Sequence, residues 1–275
     1  MNPPKTGTLR VPGASIYYEV RGSGPLLLII QGGDSDSGGS ASLVNQLVDQ
    51  YTVVVYDRRG LSRSTPNEGT PPPDIQTHCD DACHLLADLT TEPASVLGTS
   101  IGALIGLDLA ARYPHQVHTL IAHEPPALPL LPDEERLPVV GILEETYEML
   151  HREGAVAANR KDMAQLRIDF NDREPDVVLP PPPPERAANL QFFRKYDAPA
   201  SHRYRPDIDA LQRTTARIVF GVGRGSPGIW PYRATEILAG LLEKQLIVFP
   251  GGHNGSVLRP KAFAARLCEV LSELS

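Results

Sequence analysis

Gly98-Thr99-Ser100-Ile101-Gly102 is the stretch that decides the fold of this chain. A short β-forming segment, 94–97, precedes it, and a segment with apolar residues at helical spacing, 103–113, follows it. A serine in G-x-S-x-G between a strand and a helix is typical of a nucleophile elbow, a sharp turn that exposes the hydroxyl above a sheet. The flanking glycines are expected to leave Ser100 uncrowded. We therefore predict that Ser100 is a nucleophile; the alternative is a small residue in an ordinary tight turn.

Apolar segments and segments of helical periodicity alternate on both sides of this turn. The predicted strands lie at 8–11, 15–20, 25–31, 51–57, 94–97, 117–123, 217–222 and 245–249. The predicted helices lie at 75–89, 103–113, 232–242 and 260–274, with one more around 43–48. Repeated strand–helix units of this kind predict an α/β fold with a mostly parallel central sheet flanked by helices.

The segment 126–206 interrupts this alternation. It carries helix-like runs at 133–152, 155–172 and 184–196 and few strand signals. We expect it to form a helical cap, or lid, over the carboxyl ends of the strands, where open α/β sheets bind ligands. The chain then divides into a core domain, 1–125 with 207–275, and a cap domain, 126–206. The run Pro180–Pro184 is expected to be a stiff connector, with a ligand for an SH3-type domain as the alternative.

Four aromatic residues are candidates for a substrate pocket. Phe192, Phe193 and Tyr196 lie in the predicted cap, and Trp230 follows the strand after it. They predict an apolar, cyclic or acyclic ligand if they face the pocket. The alternative for each is that it holds the cap to the core.

A nucleophilic serine needs a base, and His253 is the best placed histidine. It lies in Gly251-Gly252-His253, a loop between the last predicted strand and the last helix. The glycines allow that loop to direct an imidazole toward Ser100. His123, at the end of a strand, is the nearest rival, and an exposed loop histidine is the alternative reading of His253.

The carboxylate that orients the base is predicted to be Glu124. It ends the strand that follows the elbow helix, in His123-Glu124-Pro125-Pro126, and so lies at the same rim of the sheet as Ser100. The order Ser100, Glu124, His253 is consistent with Ser…Asp/Glu…His. The alternatives for Glu124 are a helix cap or an ion pair with an arginine such as Arg224.

Hydrogen-bond donors for an oxyanion are predicted at two turns. Gly32 and Gly33 follow the predicted strand 25–31, where backbone N–H groups can face a substrate carbonyl. The N–H of Ile101, the residue after the nucleophile, is the second donor. A pair of glycines also occurs in ordinary turns, so this feature carries little weight by itself.

Composition excludes several classes of function. The net charge is −7, the isoelectric point is about 5.6, and basic runs are short, which argues against a nucleic-acid or membrane-surface partner. No apolar stretch is long enough to span a bilayer, and no apolar signal segment opens the chain, so we expect a cytoplasmic protein. The cysteines and histidines lack metal-ligand spacing, so no metal and no cofactor are expected. The oligomeric state stays open, a homodimer included.

These motifs together resemble the α/β-hydrolase superfamily over nearly the full chain. The resemblance is carried by Gln31-Gly32-Gly33, Gly98–Gly102, Gly251-Gly252-His253 and the stretch Tyr56-Asp57-Arg58-Arg59-Gly60-Leu61-Ser62-Arg63-Ser64. In that superfamily, D-x-x-G-x-S-x-S is a loop that packs beside the oxyanion turn. The orienting acid commonly follows the strand after the cap, but here 223–231 contains no carboxylate. Gln31 stands where the usual residue is histidine.

Within the superfamily, the chain is similar to the zearalenone-type lactone hydrolases. The similarity rests on His123-Glu124-Pro125 together with the acid-free loop after the cap. It implies that Ser100, Glu124 and His253 form the triad, with Gly32 and Ile101 as oxyanion donors.

The predicted function is a cofactor-independent serine hydrolase that cleaves an apolar carboxylic ester or lactone through an acyl-enzyme on Ser100. Acyl transfer to peroxide and carbon–carbon bond hydrolysis remain enzymatic alternatives on the same triad. A ligand receptor without activity is the alternative from a different class.

Overall fold

One mixed sheet forms the centre of the molecule. The computed structural model describes residues 3–179 and 182–274, and within these ranges nine strands join in that sheet. The strands are β1 (Lys5–Val11), β2 (Ala14–Gly22), β3 (Leu26–Ile30), β4 (Thr52–Tyr56), β5 (Thr65–Pro66), β6 (Ala94–Thr99), β7 (Val117–His123), β8 (Arg217–Gly223) and β9 (Leu246–Phe249).

The sheet is antiparallel at one side and parallel over the rest. Its order is β1-β2-β4-β3-β6-β7-β8-β9, with β5 paired to β2. β2 runs antiparallel to β1, β4 and β5, whereas every neighbouring pair from β4 to β9 is parallel. The predicted mostly parallel sheet is therefore confirmed, and the strands predicted at 8–11 and 15–20 lie in the antiparallel pair β1 and β2. The carboxyl ends of β3, β6, β7 and β8 meet at one edge of the sheet, which is where ligands bind in such folds.

Helices cover both faces of the sheet. Those of the core are α1 (Ala41–Leu47), α2 (Ile75–Leu89), α3 (Ile101–Arg112), α8 (Ile208–Arg213), α9 (Trp230–Leu241), α10 (Gly255–Leu258) and α11 (Pro260–Glu273). Leu27 and Ile29 of β3 face a core that contains residues of α1 and α11, while Leu28 and Ile30 face a core that contains residues of α2, α3 and α9. Since successive side chains of a strand point to opposite faces, an uninterrupted apolar strand requires this double cover.

Local signals in the sequence explain where the helices begin. The predicted helix 75–89 is α2, and its first turn is capped by Asp74, whose Oδ1 accepts a hydrogen bond from the Thr77 N–H at 2.8 Å. Helix α3 begins two residues earlier than predicted, because Ser100 itself makes the turn and Ile101 is already helical. Among the helices of the described ranges, none is both long and apolar enough to cross a membrane.

The insertion between β7 and β8 is helical. It contains α4 (Asp133–Glu153), α5 (Ala155–Gln165), α6 (Arg186–Phe192), a π-helical turn (Phe193–Asp197) and α7 (Ala198–Arg203), and α8 follows it. These helices overlap the runs predicted for the cap, and we use the name cap for this helical insertion between β7 and β8. Pro180 and Pro181 of the predicted proline connector lie outside the described residues.

Gly102 allows α3 to approach β3 closely. A Cβ at this position would lie 2.0 Å from the carbonyl oxygen of Ile30, which is backbone and cannot move aside. We expect Gly102→Ala to lower the free energy of unfolding by at least about 2 kcal/mol, because the helix and the strand must separate. Urea unfolding followed by circular dichroism measures this loss.

The matched control is Gly141→Ala in α4, where a Cβ would meet no atom within 4 Å. This change is expected to stabilise the protein by up to about 1 kcal/mol, since alanine is the better helix former. Equal effects of the two substitutions would contradict the packing argument.

Candidate active site

Ser100 occupies a left-handed turn between β6 and α3. Its backbone has φ 53° and ψ −122°, a conformation that L-residues rarely adopt, and its N–H donates to the carbonyl oxygen of His123 at 2.9 Å. The flanking glycines have a packing role that was not predicted. A Cβ at Gly98 would lie 2.4 Å from the carbonyl oxygen of Gly102, so Gly98 allows α3 to approach β6 closely. The strained residue is the serine.

His253 and Glu124 are joined by a buried hydrogen bond. His253 Nδ1 lies 2.6 Å from Glu124 Oε2, and the Gly223 N–H donates to the other carboxylate oxygen at 2.7 Å. The Glu124 side chain is fully buried. Glu124 also has a left-handed backbone, φ 47°, and its N–H donates to the Gly221 carbonyl oxygen at 3.0 Å. Both carboxylate oxygens and the backbone N–H of Glu124 are therefore hydrogen-bonded, each to a different residue.

The surroundings of Glu124 keep its carboxylate ionised. Burial by itself raises the pKa of this group. The hydrogen bond from His253, the electrostatic interactions with His123 and His253, and the hydrogen bond from the Gly223 N–H together outweigh burial and bring the pKa of Glu124 to about 2. An ionised carboxylate on Nδ1 selects the imidazole tautomer that carries its proton there, which leaves Nε2 as an acceptor.

Ser100 and His253 line the same cavity, whereas Glu124 lies behind His253. Within the described ranges, the Ser100 hydroxyl and the His253 ring form no hydrogen bond with each other. Hydrogen bonds between a nucleophile and its base are often long before substrate binds. The structure thus brings the three predicted side chains to one edge of the sheet.

His123, the rival base, is a core residue. Its ring is fully buried and packs edge-on against Phe249 and Phe263, with ring centres 5.8 and 5.4 Å away. Neither ring nitrogen has a partner among the described residues. Burial lowers the pKa of His123 to about 4, so its ring is neutral at pH 7. Arg224, the alternative partner of Glu124, is exposed and forms no ion pair or hydrogen bond with that carboxylate in the described part of the chain.

The predicted oxyanion donors lie beside Ser100. A Cβ on Gly32 would lie 3.0 Å from the Ser100 Cβ, so the turn after β3 touches the nucleophile directly. Gly33 adopts φ 55° and has no atom within 4 Å of a Cβ position. In the described ranges, the N–H groups of Gly32 and Ile101 donate to no protein acceptor.

A buried arginine holds this turn, and sequence analysis did not identify it as a site residue. Arg58 Nη1 donates to the Gln31 carbonyl oxygen at 2.6 Å, and Nη2 donates to the Gly33 carbonyl oxygen. The same Nη2 lies 3.1 Å from Asp197 in the π-helical turn, and Asp197 also contacts His78 Nε2 at 3.1 Å. The side chains of Arg58 and Asp197 are fully buried.

The signal for Arg58 was present in the D-x-x-G-x-S-x-S stretch, which was expected to pack beside the oxyanion turn. Asp57 of that stretch accepts the Ser37 N–H at 2.8 Å, and the Ser64 hydroxyl donates to the Asp57 carbonyl oxygen at 2.6 Å. Asp197, the ion-pair partner of Arg58, is however 139 residues away from it in the chain. No local pattern pairs residues at that separation.

The cavity holds about 290 Å³ and has walls from both the core and the cap. Of the predicted site residues, those that line it are Gly32, Gly33, Ser100, Ile101, Phe193, Trp230 and His253. Asn159, Asp162, Met163, Arg194 and His202 of the cap also line it and were not predicted.

The prediction that Phe192 and Tyr196 line the pocket is corrected by the structure. These residues are four apart on one helical face, with ring centres 5.0 Å from each other. The Phe192 ring packs against Gly60 of the core, where a Cβ would overlap it, and neither Phe192 nor Tyr196 lines the cavity. Since residue 193 points about 100° away from residue 192 on a helix, only Phe193 of the three reaches the cavity.

Comparison with known proteins identifies relatives of the whole chain. A family model described as the alpha/beta hydrolase fold matches residues 25–260. The uncharacterized hydrolase YraK of Bacillus subtilis strain 168 is 38% identical over 271 residues, which are 97% of this chain and 96% of that protein. The narrower resemblance to zearalenone-type lactone hydrolases stays a prediction.

Solved structures share the fold. A thermophilic esterase from Thermogutta terrifontis, with malate bound, superposes with a TM-score of 0.71 at 21% identity and covers 99% of both chains. The enol-lactonase from Burkholderia xenovorans LB400 superposes with a TM-score of 0.72 at 18% identity, covering 97% of this chain and 100% of that one. At these identities the likeness concerns the fold alone.

The carboxylate of Glu124 is expected to make stability depend on acid pH. Its folded-state pKa, about 2, lies below the ordinary 4.5, so the stabilisation is fully present above about pH 5 and is lost as the pH falls toward 2. The difference in unfolding free energy between wild type and Glu124→Gln should shrink by roughly 3 kcal/mol across that range. Urea unfolding at stepped pH measures it.

The control for this measurement is the same substitution in a His253→Ala background. There the pH-dependent difference should be smaller, because the hydrogen bond that lowers the pKa of Glu124 most is absent. A difference independent of pH in the wild-type background would contradict the lowered pKa of Glu124.

Arg58→Met is expected to lower the unfolding free energy by about 3–5 kcal/mol, since it leaves Asp197 buried and ionised without its arginine. Adding Asp197→Asn should recover part of the loss, which a double-mutant cycle in urea measures. The matched control is the exposed pair Arg266–Glu269, where Arg266→Met should cost less than about 1 kcal/mol. Additive effects of the Arg58 and Asp197 substitutions would contradict the coupling.

Proposed function

Because the chain belongs to the α/β-hydrolase family, we propose that it is a cofactor-independent serine hydrolase that cleaves a carboxylic ester or lactone. The observation that carries this proposal is the buried hydrogen bond between His253 Nδ1 and Glu124, behind a cavity that His253 shares with Ser100. That arrangement supplies a base of defined tautomer next to a hydroxyl on a strained turn.

In the proposed reaction, Ser100 Oγ attacks the substrate carbonyl carbon and its proton passes to His253 Nε2. The tetrahedral intermediate collapses when the carbon–oxygen bond of the ester breaks, and Nε2 returns the proton to the leaving alkoxide. For a lactone, that alcohol stays attached to the acyl group. Water then attacks the acyl-enzyme, again losing its proton to His253, and Ser100 is released with the carboxylic acid.

Glu124 acts through His253 in this scheme. Its ionised carboxylate orients the ring and stabilises the imidazolium that forms in each step. The pKa of about 2 supports this role, because the group stays charged over the whole range in which an imidazole can work as a base.

The backbone N–H groups of the turn Gln31-Gly32-Gly33 and of Ile101 are the proposed oxyanion donors. Ile101 opens α3, where N–H groups lack partners within the helix and the helix dipole is positive. The uncommitted N–H groups of Gly32 and Ile101 beside Ser100 support the assignment. Arg58 binds the carbonyl oxygens of Gln31 and Gly33 in the same turn. We infer that this keeps the N–H groups of the turn directed away from those carbonyl groups.

The proposal is tested with a fluorophosphonate probe and a panel of 4-nitrophenyl esters and macrolactones. Wild type should be labelled at Ser100, and Ser100→Ala should lose both labelling and turnover. Glu124→Gln should lower kcat by roughly 10²–10⁴-fold, since the amide cannot stabilise the imidazolium. Peptide mapping locates the label.

Ser95→Ala is the matched control, because Ser95 lies in β6 and not in the cavity wall. It should keep wild-type turnover. Absence of labelling at Ser100 would favour a ligand receptor, and wild-type activity in Glu124→Gln would remove Glu124 from the mechanism.

A further inference from the structure

Arg194 is a charged residue in the cavity wall that the proposed chemistry does not use. It lies in the π-helical turn of the cap, and its side chain is only 7% exposed. Nη2 donates to Asn159 Oδ1 at 2.6 Å and to Asp162 Oδ2 at 2.9 Å. Its guanidinium also lies over the Phe193 ring, 5.2 Å from the centre. The cap thus places a fixed cation in the same cavity as Ser100.

Some N–H groups of the Arg194 guanidinium have no hydrogen-bond acceptor among the described residues. Nε is buried and has no acceptor among the described residues, and in those ranges Nη1 has none either. Buried polar groups of native proteins are as a rule satisfied by protein, water or ligand. Three of the five N–H bonds of an arginine are therefore open here.

The charges around the cavity favour an anion as the missing acceptor. Its two acidic residues are each paired with an arginine: Asp162 with Arg194, and Asp34 with Arg186 at 2.9 Å near the surface. His202, edge-on to Trp230, is neutral at pH 7, because burial lowers its pKa to about 4. Of the two arginines in this wall, Arg194 is the buried one, and three of its N–H groups are uncommitted among the described residues.

The position of Arg194 is fixed from the core. The π-helical turn also carries Asp197, which is held by Arg58 and His78. Arg58 in turn holds the carbonyl groups of Gln31 and Gly33 beside Ser100. One buried network therefore sets the spacing between the guanidinium of Arg194 and the nucleophile, as a site that binds both ends of one substrate requires.

We propose that Arg194 binds a carboxylate of the substrate, so that the substrate is an ester or lactone that carries a second, free carboxyl group. The proposal rests on the proposed function at Ser100 and adds the substrate class to it. A guanidinium forms strong, charge-assisted hydrogen bonds with a carboxylate, and the apolar neighbours Phe193 and Trp230 strengthen them by excluding water. The cavity of about 290 Å³ suits a small molecule with two functional groups.

The test compares two substrates that differ only at the distal end: the 4-nitrophenyl ester of glutaric acid with a free carboxylate, and its methyl ester. For wild type, kcat/KM should favour the free carboxylate by about tenfold or more. In Arg194→Met this ratio should fall to about one, and Arg194→Lys should keep part of it, because the charge remains but the geometry changes.

Arg186→Met is the matched control, since it removes a positive charge from the same cavity. The substrate ratio should change by less than about threefold there, because that arginine is exposed and screened by solvent. An equal loss in both variants would overturn the proposal, because the preference would then come from the charge of the cavity as a whole. A wild-type preference for the methyl ester would also overturn it. So would a preference for the corresponding choline ester, whose distal group is positively charged.

Binding without catalysis separates this proposal from the proposed function. Glutarate titrated calorimetrically into the Ser100→Ala protein should bind, and Arg194→Met on that background should bind at least about tenfold more weakly. If glutarate binding depends on Arg194 but no ester is turned over, the proposed hydrolase function is wrong and the proposed carboxylate site stands. If the methyl ester is turned over but glutarate does not bind, the proposed hydrolase function stands and the proposed carboxylate site is wrong.

Discussion

The hydrogen bond between His253 and Glu124 is the interaction on which the candidate site depends. It joins two loops that are 129 residues apart in the chain and lies where water cannot compete. A buried carboxylate without hydrogen-bond partners would be unstable. The Gly223 N–H supplies the partner of the second oxygen of Glu124. The end of β8 thus contributes a backbone group to the site, whereas the end of β7 contributes the acid.

A second buried network joins the two parts of the molecule. Arg58 connects the turn after β3 to Asp197 in the cap, and Asp197 connects to His78 on α2. Buried ion pairs of this kind add little net stability compared with apolar packing, but breaking one is costly. Their contribution here is geometric, since they hold a helical insertion at a fixed distance from the edge of the sheet.

Much of the fold and part of the site could be predicted from local sequence. The bounds of α2 follow from the proline break and from Asp74, and the elbow follows from Gly98–Gly102 between an apolar strand and helix. Parallel topology then brings the ends of β6 and β7 together, which placed Glu124 near Ser100. The cap was harder to predict, because the orientation of Phe192 and Tyr196 depends on how a short helix meets Gly60. Arg58 and Asp197 could not be paired, since nothing local relates residues so far apart.

The position of Glu124 also affects how this structure can change during evolution. Because the acid lies at the end of β7, the loop after β8 provides only the N–H of Gly223 to the carboxylate, and this backbone group does not depend on the side chains that follow it in the loop. The exposed residues Arg224 and Pro227 in that loop form no hydrogen bond or ion pair with the His253 side chain within the described ranges. Side chains beyond Gly223 can therefore be replaced without removing a partner of the carboxylate, whereas the backbone of this loop is tied to the His253 loop by the bonds from the Arg224 and Gly225 N–H groups to the Phe249 and Gly251 carbonyl oxygens. The side chains of this loop are thus free to vary independently of the proton-transfer machinery, and its backbone is not.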